Sequence, residues 1–457
     1  MNNFTNRTFD EITIGETLSL TRRLSESEIE ALTLVSGDVD PFHIDGDPPS
    51  RGEMAAEAVA AEGLISAMLN RRLPGPGTLI LAQDLRFSGT LRVGDELTGQ
   101  VTAKEKRAED RSIWFDCRVS RGEEVLLCGT VTVIAPAQRI SYRDIATPEV
   151  LVRRNDGFAR LFRQLEGVAP VTCAVVHPCD KVSLLGPLEA AQRGWITPVL
   201  VGPEAKIRAV ADAEGVDLGP YRIVPTEHSH AAAHTAVALA RSGEVESLMK
   251  GSLHTDELMG AVVAAATGLR TGRRVSHVFV MDVPAYPRLL LLTDAAINIA
   301  PTIKDKRDIA QNAIDMAQIL GIQQPKVAIL AAVETVNPDM QATVDAAMLC
   351  KMADRGQITG GILDGPLAFD NAVSEEAAKT KKIVSPVAGR ADVLLLPDLE
   401  AGNMVAKQLQ YLAGADAAGI VLGARVPIVL TSRADSVRTR LASVALLALV
   451  ALARRPS

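Results

Sequence analysis

A serine and an arginine stand together near the end of the chain, at a place where many α/β proteins bind ligands. Residues 427–430 form a short apolar run, Ser432 and Arg433 follow it, and a long apolar segment comes next. This order predicts a strand, a loop and a helix, with Asp435 or Ser436 as the N-cap of the helix. Because open α/β sheets bind ligands at the carboxyl ends of their strands, Ser432 and Arg433 are candidate site residues. A solvent-exposed turn with a surface arginine fits the same sequence.

A second polar turn, near the start of the chain, combines an acid with a histidine. Asp38 and His43 lie on either side of Pro41, which prevents a helix from continuing through the turn. If the loop folds back, both side chains can face one water, remove a proton from it and return another. Addition of water across a conjugated double bond needs such a pair. A capping aspartate beside a surface histidine is the alternative interpretation.

Polar groups also follow several predicted strands in the middle of the chain. Lys250, Gly251 and Ser252 offer a cation, a closely approachable backbone and a hydroxyl, which suits a phosphate. The Walker spacing GxxxxGK[ST] is missing, so a nucleotide triphosphatase is not indicated.

Three acids, Asp294, Glu334 and Asp364, follow successive predicted strands. They can line a cleft, bind a ligand or cap the following helices. The five cysteines have no CxxC spacing and no cluster of His and Cys accompanies the acids, so we predict neither a disulfide framework nor a required metal.

Several separated segments resemble the phosphate acyltransferase family, whose members move an acyl group between phosphate and coenzyme A. The segments are TDAAINIAP at 293–301, RADVLLLPDLEAGN at 390–403, GADAAG at 414–419 and TSR at 431–433. They occur in the family's order, and the resemblance runs from about Gly157 to the end of the chain.

This resemblance implies a mainly parallel, three-layer α/β fold in two lobes, residues 157–285 plus 427–457 and residues 286–426, with the site between them. It gives Ser432 the role of orienting the thiol and Arg433 that of holding the phosphate, opposite Lys250, Gly251 and the strand ends at 294 and 364. The full set expected to contact substrate is Lys250, Gly251, Ser252, Asp294, Asn298, Glu334, Asp364 and Asp435. Acetyl-transferring members have an acidic base where this chain has Thr439, and the S-R-A-D-S form looks more like the butyryl-transferring branch, so the base and the acyl chain stay open.

The turn around Pro41 resembles the S-G-D-x-N-P-x-H motif of the MaoC-like hot-dog family, the (R)-specific enoyl-coenzyme A hydratases, in which the Asp and His are catalytic. The match covers roughly the first 135 residues. Asp40 stands where the family has Asn, and Glu62-Gly63 stands where its central helix begins with His-Gly. The resemblance implies that Asp38 and His43 are catalytic and that the Gly63 amide, at a helix start, polarises the thioester carbonyl.

We therefore predict an α+β hot-dog domain at residues 1–138, a linker at 139–156 and a phosphate acetyl/butyryltransferase domain at 157–457. The leading hypothesis is a bifunctional enzyme that transfers acyl groups between coenzyme A and phosphate and hydrates 2-enoyl-coenzyme A. In a second hypothesis, the first domain is a catalytically weak acyl-binding or dimerisation module. A third, with a related two-lobed fold, is a nicotinamide-dependent decarboxylating dehydrogenase, but no GxGxxG follows a strand.

Composition excludes some partners. A net charge of −7 and 3% aromatic residues give no support for nucleic-acid binding. The longest apolar run, residues 444–453, is too short to span a bilayer, and the start of the chain does not read as a secretory signal. We predict a cytoplasmic protein that acts on small acyl-coenzyme A and acyl phosphate substrates, has no permanently bound cofactor, and forms a homodimer or larger homo-oligomer because hot-dog domains usually pair.

Overall fold

The computed structural model describes residues 3–23, 25, 55–56, 58–89, 91–92, 94–143, 157–430 and 436–455. The chain divides into two compact units, Met1–Arg153 and Arg154–Ser457. The boundary falls within the predicted linker at 139–156. Part of that stretch is nevertheless a strand of the first unit, because β9 (Ser141–Arg143) pairs antiparallel with β1 (Asn3–Thr5).

The first unit is built on an antiparallel sheet in the order β2-β6-β7-β8-β4. Its strands are β2 (Thr17–Arg23), β4 (Leu79–Phe87), β6 (Glu96–Arg107), β7 (Ser112–Arg121) and β8 (Glu124–Ile134). Two short strands, β3 (Ala55–Ala56) and β5 (Leu91–Arg92), pair separately. Burial alternates along most of β6 and β7, which is typical of a sheet with one face on a core.

Helix α1 (Ala58–Arg71) supplies the other half of that core. Its Leu64 and Met68 are buried with Val101 and Phe115 of the sheet. The helix approaches β6 so closely that a Cβ on Gly99 would lie 2.8 Å from the Met68 sulfur. The described part of this unit is therefore an α+β arrangement, an antiparallel sheet packed against one helix.

The second unit contains one sheet of eleven described strands in the order β12-β11-β10-β13-β20-β19-β14-β15-β18-β16-β17. Helices cover it, and its central strands are apolar and buried, as expected for a sheet covered on both faces. The strands are β10 (Val171–Val176), β11 (Ile196–Gly202), β12 (Arg222–Pro225), β13 (Ser247–Lys250), β14 (Ser276–Asp282), β15 (Leu290–Thr293), β16 (Lys326–Leu330), β17 (Ile362–Leu367), β18 (Val393–Leu395), β19 (Asp416–Leu422) and β20 (Ile428–Val429).

Strand direction changes in the middle of this sheet. The strands from β12 to β20 are parallel to one another, β19, β14 and β15 then pair antiparallel in turn, and β15, β18, β16 and β17 are again parallel. The carboxyl ends of β10, β11, β12, β13 and β20 lie together at one edge of the sheet, which we call the first edge. The carboxyl ends of β15, β16, β17 and β18 lie at the other edge, which we call the second edge. The two groups of carboxyl ends lie at opposite edges.

The topology bears on the predicted lobes and on the predicted strand ends. The two lobes, whose bounds stay a prediction, share a continuous sheet in which β14 lies between β19 and β15. The strand ends at 294 and 364 do not share an edge with Lys250 and Gly251, because their strands run in the opposite direction. A sequence pattern of alternating strands and helices does not reveal where a sheet reverses.

The helices of the second unit are α2 (Gly157–Arg163), α3 (Lys181–Gln192), α4 (Glu204–Glu214), α5 (Ser229–Ser242), α6 (Thr255–Val262), α7 (Ile303–Ile319), α8 (Gln341–Asp354), α9 (Phe369–Val373), α10 (Glu375–Thr380), α11 (Leu399–Tyr411) and α12 (Val437–Ala453). Helix α12 is the apolar segment at the end of the chain, and most of it is buried in the largest core of the unit. Its N-cap is Ser436, whose side chain accepts a hydrogen bond from the Thr439 amide at 3.1 Å. The predicted strand and helix, and Ser436 as N-cap, are thus confirmed.

Within the described residues, no helix combines the length and apolarity that crossing a membrane requires.

Candidate functional site

The Ser-Arg pair lies in a segment whose two ends are described. Strand β20 leads to Leu430 at the first edge, and the chain is described again from Ser436, the N-cap of α12. Ser432, Arg433 and Asp435 lie outside the described residues. Because β20 pairs parallel with β13, the chain enters this segment beside the strand that ends at Lys250.

Lys250, Gly251 and Ser252 lie at the first edge, where the ends of β13 and β10 meet. The Gly251 amide donates to the Val176 carbonyl at 2.8 Å, and the Ser252 amide donates to the His177 carbonyl at 2.9 Å. A Cβ on Gly251 would lie 2.4 Å from the first of these oxygens and 2.6 Å from the second. Only glycine fits at this position without moving the backbone.

His177 contacts Ser252 and so belongs to the same cluster. Its ring Nδ1 lies 3.1 Å from the Ser252 hydroxyl, which also donates to the His177 carbonyl at 2.9 Å and accepts from the Cys179 amide at 3.3 Å. His177 has a φ of 57°, in the left-handed region that few residues other than glycine adopt. Burial, and then the nearby charge of Lys206, lower the pKa of His177.

Cys179 lies beside the same cluster but does not supply a thiolate. Burial raises the pKa of its thiol to about 11, so the thiol is protonated near neutral pH. A covalent acyl-cysteine step through Cys179 is therefore not favoured.

Asp294 and Asn298 form a structural turn at the second edge. Asp294 is 3% exposed and accepts hydrogen bonds from the Ala296 and Ile297 amides at 2.9 and 3.1 Å, while Asn298 Nδ2 donates to it at 2.6 Å. Asn298 also donates to the Val275 carbonyl at 2.9 Å. These contacts hold the turn, whereas the helix that follows, α7, is capped by Thr302 and not by Asp294.

A buried histidine beside this turn was not anticipated. His277 is 2% exposed, its Nδ1 has no hydrogen-bond partner among the described residues, and its ring meets Phe279 edge-on at 4.3 Å. Burial lowers the pKa of His277 to about 4, against the opposing effect of the Asp294 charge. In the sequence, this histidine opens an apolar strand, and nothing there distinguishes it from an exposed strand end.

Glu334 and Asp364, the other acids expected at strand ends, differ in position. Glu334 follows β16, forms an ion pair with Lys381 at 2.7 Å and accepts a hydrogen bond from the side-chain amide of Asn371. The contact with Lys381 lowers the pKa of Glu334. Asp364 lies inside β17 rather than at its end, and its side chain accepts from the Gly365 amide at 2.9 Å. The expectation that Asp364 follows a strand end is wrong because β17 continues to Leu367.

A cavity of about 720 Å³ lies at the second edge and not beside Lys250. Its wall includes Arg273, Asp315, Arg425 and Arg454. The Arg454 guanidinium donates to the Ala424 and Arg425 carbonyls at 3.2 and 3.1 Å. The polar groups predicted from sequence for a phosphate thus lie at the other edge of the sheet.

Comparisons with known proteins decide the family of the second unit. Residues 226–448 match the family described as phosphate acetyl/butaryl transferase. Phosphate acetyltransferase of Rhizobium meliloti is 63% identical over 298 residues, which are 65% of this chain and 94% of that protein. The chain belongs to the phosphate acetyl/butyryl transferase family.

Further relatives of this transferase chain agree in sequence and fold. Phosphate butyryltransferase of Clostridium beijerinckii is 44% identical over 294 residues, covering 64% of this chain and 97% of the relative. A branched-chain phosphotransacylase from Enterococcus faecalis superposes with a TM-score of 0.55 at 29% identity, covering 62% of this chain and 99% of that structure. Family membership gives no support to the dehydrogenase hypothesis.

The residues of this chain that match the family include Lys250 and the segment 431–435. Among the described residues, no group of three or more His, Cys, Asp or Glu side chains is arranged to hold a metal ion.

The site predicted for the first unit lies mostly outside the described residues. Asp38 and His43 both belong to that part of the chain. Gly63 is described, and it is the sixth residue of α1, not the start of the helix. Inside a helix the amide of residue i bonds to the carbonyl of residue i−4, so the argument that places the Gly63 amide at a helix start is wrong.

Proposed function

We propose that the second unit catalyses reversible transfer of a short acyl group between coenzyme A and phosphate. The observation that carries this proposal is 63% identity to a phosphate acetyltransferase over 94% of its length. Lys250 at the first edge fits this chemistry, since a phosphate is bound by cationic side chains. Lys250 and Arg433 supply the cations, and Ser432 orients the thiol.

In the direction of acyl-coenzyme A formation, the thiol sulfur bonds to the carbonyl carbon of the acyl phosphate and the bond to the phosphate oxygen breaks. The thiol proton ends on the departing phosphate, so protons balance without another reactant. Negative charge increases on the phosphate as it leaves, and fixed cations near it stabilise that transition state more than the ground state.

We propose acetyl as the preferred acyl group. The S-R-A-D-S sequence looks like the butyryl-transferring branch, but identity is 63% to an acetyltransferase and 44% to a butyryltransferase. The test is a series of acyl-coenzyme A esters of increasing length assayed for phosphate-dependent thiol release, where acetyl should give the highest kcat/KM. A maximum at butyryl would contradict this preference.

For the first unit we propose a hot-dog domain that hydrates 2-enoyl-coenzyme A, with Asp38 and His43 sharing the water. Supporting this are the motif around Pro41 and the antiparallel sheet packed on α1. The alternative is an acyl-binding or dimerisation module. An assay of crotonyl-coenzyme A hydration, monitored by the loss of absorbance of the conjugated thioester, distinguishes the two alternatives. A hydratase consumes the ester, whereas an acyl-binding or dimerisation module does not.

We further propose a cytoplasmic homo-oligomer that acts on free small-molecule substrates. Sedimentation of the purified chain at several concentrations tests the assembly, and a single species of monomer mass throughout would refute it.

A further inference from the structure

The cavity at the second edge has no role in the function proposed above. Its wall is formed by the second half of α7, the end of α12 with Arg454, the segment 271–273 and the turn from β19 to β20. All of these parts belong to the second unit. Small-molecule sites in proteins usually have volumes of about 300 to 1,000 Å³, and this cavity, at about 720 Å³, is large enough for such a ligand.

The charged side chains in the wall are mostly positive. They are those of Arg273, Arg425, Arg454 and Asp315, so three guanidinium groups face one carboxylate. Both oxygens of that carboxylate are already in use, because Asp315 forms an ion pair with Arg273 and accepts a hydrogen bond from Gln311 at 2.9 Å. The wall therefore carries positive charge that no acid in it neutralises.

The Arg425 guanidinium has the fewest contacts of the three. It forms no hydrogen bond, ion pair or ring contact with the residues that the structure describes. A guanidinium presents its N–H donors in a planar fork that binds two oxygens of a phosphate or carboxylate at once. Arg425 can therefore bind an anion without losing an existing contact to a described residue.

Arg454 is held in place beside the same turn. Its Nη1 donates to the Ala424 and Arg425 carbonyls at 3.2 and 3.1 Å. Its Nε and Nη2 donate to no acceptor in the described part of the chain, so they are able to bind an anion. A side chain that is already fixed loses less conformational freedom on binding than a mobile one, which favours affinity.

The turn that carries Arg425 is itself fixed by contacts to its neighbours. Thr271 Oγ1 donates to the Gly423 carbonyl at 2.6 Å, and the Arg425 amide donates to the Leu269 carbonyl at 2.9 Å. Gly423 has a φ of 87°, and a Cβ there would lie 2.3 Å from the Arg274 carbonyl oxygen, so only glycine fits. The wall is thus formed before a ligand binds.

The cavity also has an apolar part. Met316 and Ile319 come from α7, Leu422 comes from β19 and Val450 from α12. An inorganic ion bound to the arginines would leave these side chains without a partner, whereas the carbon atoms of an organic ligand would pack against them. The combination favours a ligand with an anionic group and an apolar body.

We propose that this cavity binds a small organic dianion, a phosphate ester or a dicarboxylate, through Arg425 and Arg454. Two negative charges match the excess of two positive charges in the wall. The apolar part of the ligand contacts the side chains from α7, β19 and α12. This site is separate from the acyl-transfer site, and its test does not require acyl transfer.

Calorimetric titration of the full chain with phenyl phosphate, phthalate and benzyl alcohol tests the proposal. The two dianions should bind, with an affinity that falls as salt is added, because the ion pairs are partly exposed and salt screens them. The neutral alcohol should not bind. Tighter binding of phenyl phosphate than of phthalate identifies a phosphate ester as the ligand class, and the reverse order identifies a dicarboxylate.

Two substitutions locate the bound dianion. Arg425→Gln and Arg454→Gln should each weaken binding by roughly 10- to 100-fold, which corresponds to the loss of a hydrogen bond from a charged group. The control is Arg355→Gln, at an exposed arginine after α8 that does not line the cavity, and it should keep the parental Kd. Folding is checked by circular dichroism. If Arg454→Gln unfolds because its bonds to two carbonyls are lost, Arg425→Gln decides.

Two results would overturn the proposal. One is that neither dianion binds to the parent chain. The other is a Kd that stays unchanged in folded Arg425→Gln. If that unchanged binding is lost in Arg433→Gln, the dianion occupies the proposed acyl-transfer site instead of this cavity.

Discussion

Replacing Gly251 with alanine should damage both stability and acyl transfer, because this glycine lies where two strand ends touch. The new Cβ would lie 2.4 Å from the Val176 carbonyl oxygen and 2.6 Å from that of His177. Both contacts are to backbone, so the ends of β10 and β13 must separate. Separation weakens the hydrogen bonds from Gly251 and Ser252, which are 2.8 and 2.9 Å long.

The expected cost follows from these contacts. Overpacking costs about 1 to 3 kcal/mol, and each weakened hydrogen bond adds about 1 kcal/mol. We therefore expect a loss of about 3 to 5 kcal/mol in the free energy of unfolding of the second unit. A displacement of about 0.5 to 1 Å at a substrate site should also reduce kcat by on the order of 10²-fold.

Gly260 provides a matched control on helix α6. A Cβ there would meet nothing within 4 Å, and the residue is exposed. Gly260→Ala should therefore stabilise the protein slightly, by up to about 1 kcal/mol, because alanine favours a helix. The assays are urea unfolding followed by circular dichroism and phosphate-dependent thiol release. If Gly251→Ala unfolds at the parental urea concentration and keeps the parental kcat, the result contradicts the close contact between Gly251 and the Val176 and His177 carbonyls.

Three further predictions concern other sites. Arg433→Gln should cost about 2 to 4 kcal/mol of transition-state stabilisation in acyl transfer. Arg433→Lys should also impair transfer, because lysine cannot form the paired hydrogen bonds of the planar guanidinium. If Arg433→Gln keeps the parental rate and the parental phosphate dependence, Arg433 does not hold the phosphate. Asp38→Asn should lower crotonyl-coenzyme A hydration by on the order of 100-fold without affecting acyl transfer, and unchanged hydration would show that the pair with His43 is not the site. Burial lowers the pKa of His277 to about 4, so between about pH 6.5 and pH 4 the unfolded state binds more protons than the folded state, and the protein should lose about 3 kcal/mol of stability as pH falls through this range. The unfolding midpoints of the parent and of His277→Leu, measured at pH 7 and pH 5, should differ less between the two pH values in the variant. Equal differences in the parent and the variant would refute this prediction.

Local patterns predicted local structure well. The apolar run at 427–430, the polar residues after it and the long apolar segment predicted β20, the N-cap Ser436 and helix α12, because each depends on residues within a few positions. Lys250, Gly251 and Ser252 were singled out for the same reason, and the structure places them at a strand end. The sequence did not show that Gly251 lies against the backbone carbonyls of Val176 and His177, and only the structure reveals this close contact.

Features set by distant parts of the chain were predicted less well. The three acids at 294, 334 and 364 looked equivalent, but their surroundings differ: Asp294 holds a buried turn, Glu334 pairs with Lys381, and Asp364 lies inside β17. The reversal of strand direction at β19, β14 and β15 separates these acids from the first edge, and it depends on strand pairing between residues far apart in sequence. The contact between His177 and Ser252 joins residues 75 positions apart, so the sequence alone did not reveal it.

The most direct test of the central claim is thiol release from acetyl-coenzyme A by the purified chain, with and without inorganic phosphate. The account predicts release that requires phosphate, saturates with it, yields acetyl phosphate in equal amount and needs no added metal or nicotinamide cofactor. No phosphate-dependent release from acetyl-coenzyme A or any other short ester would contradict it.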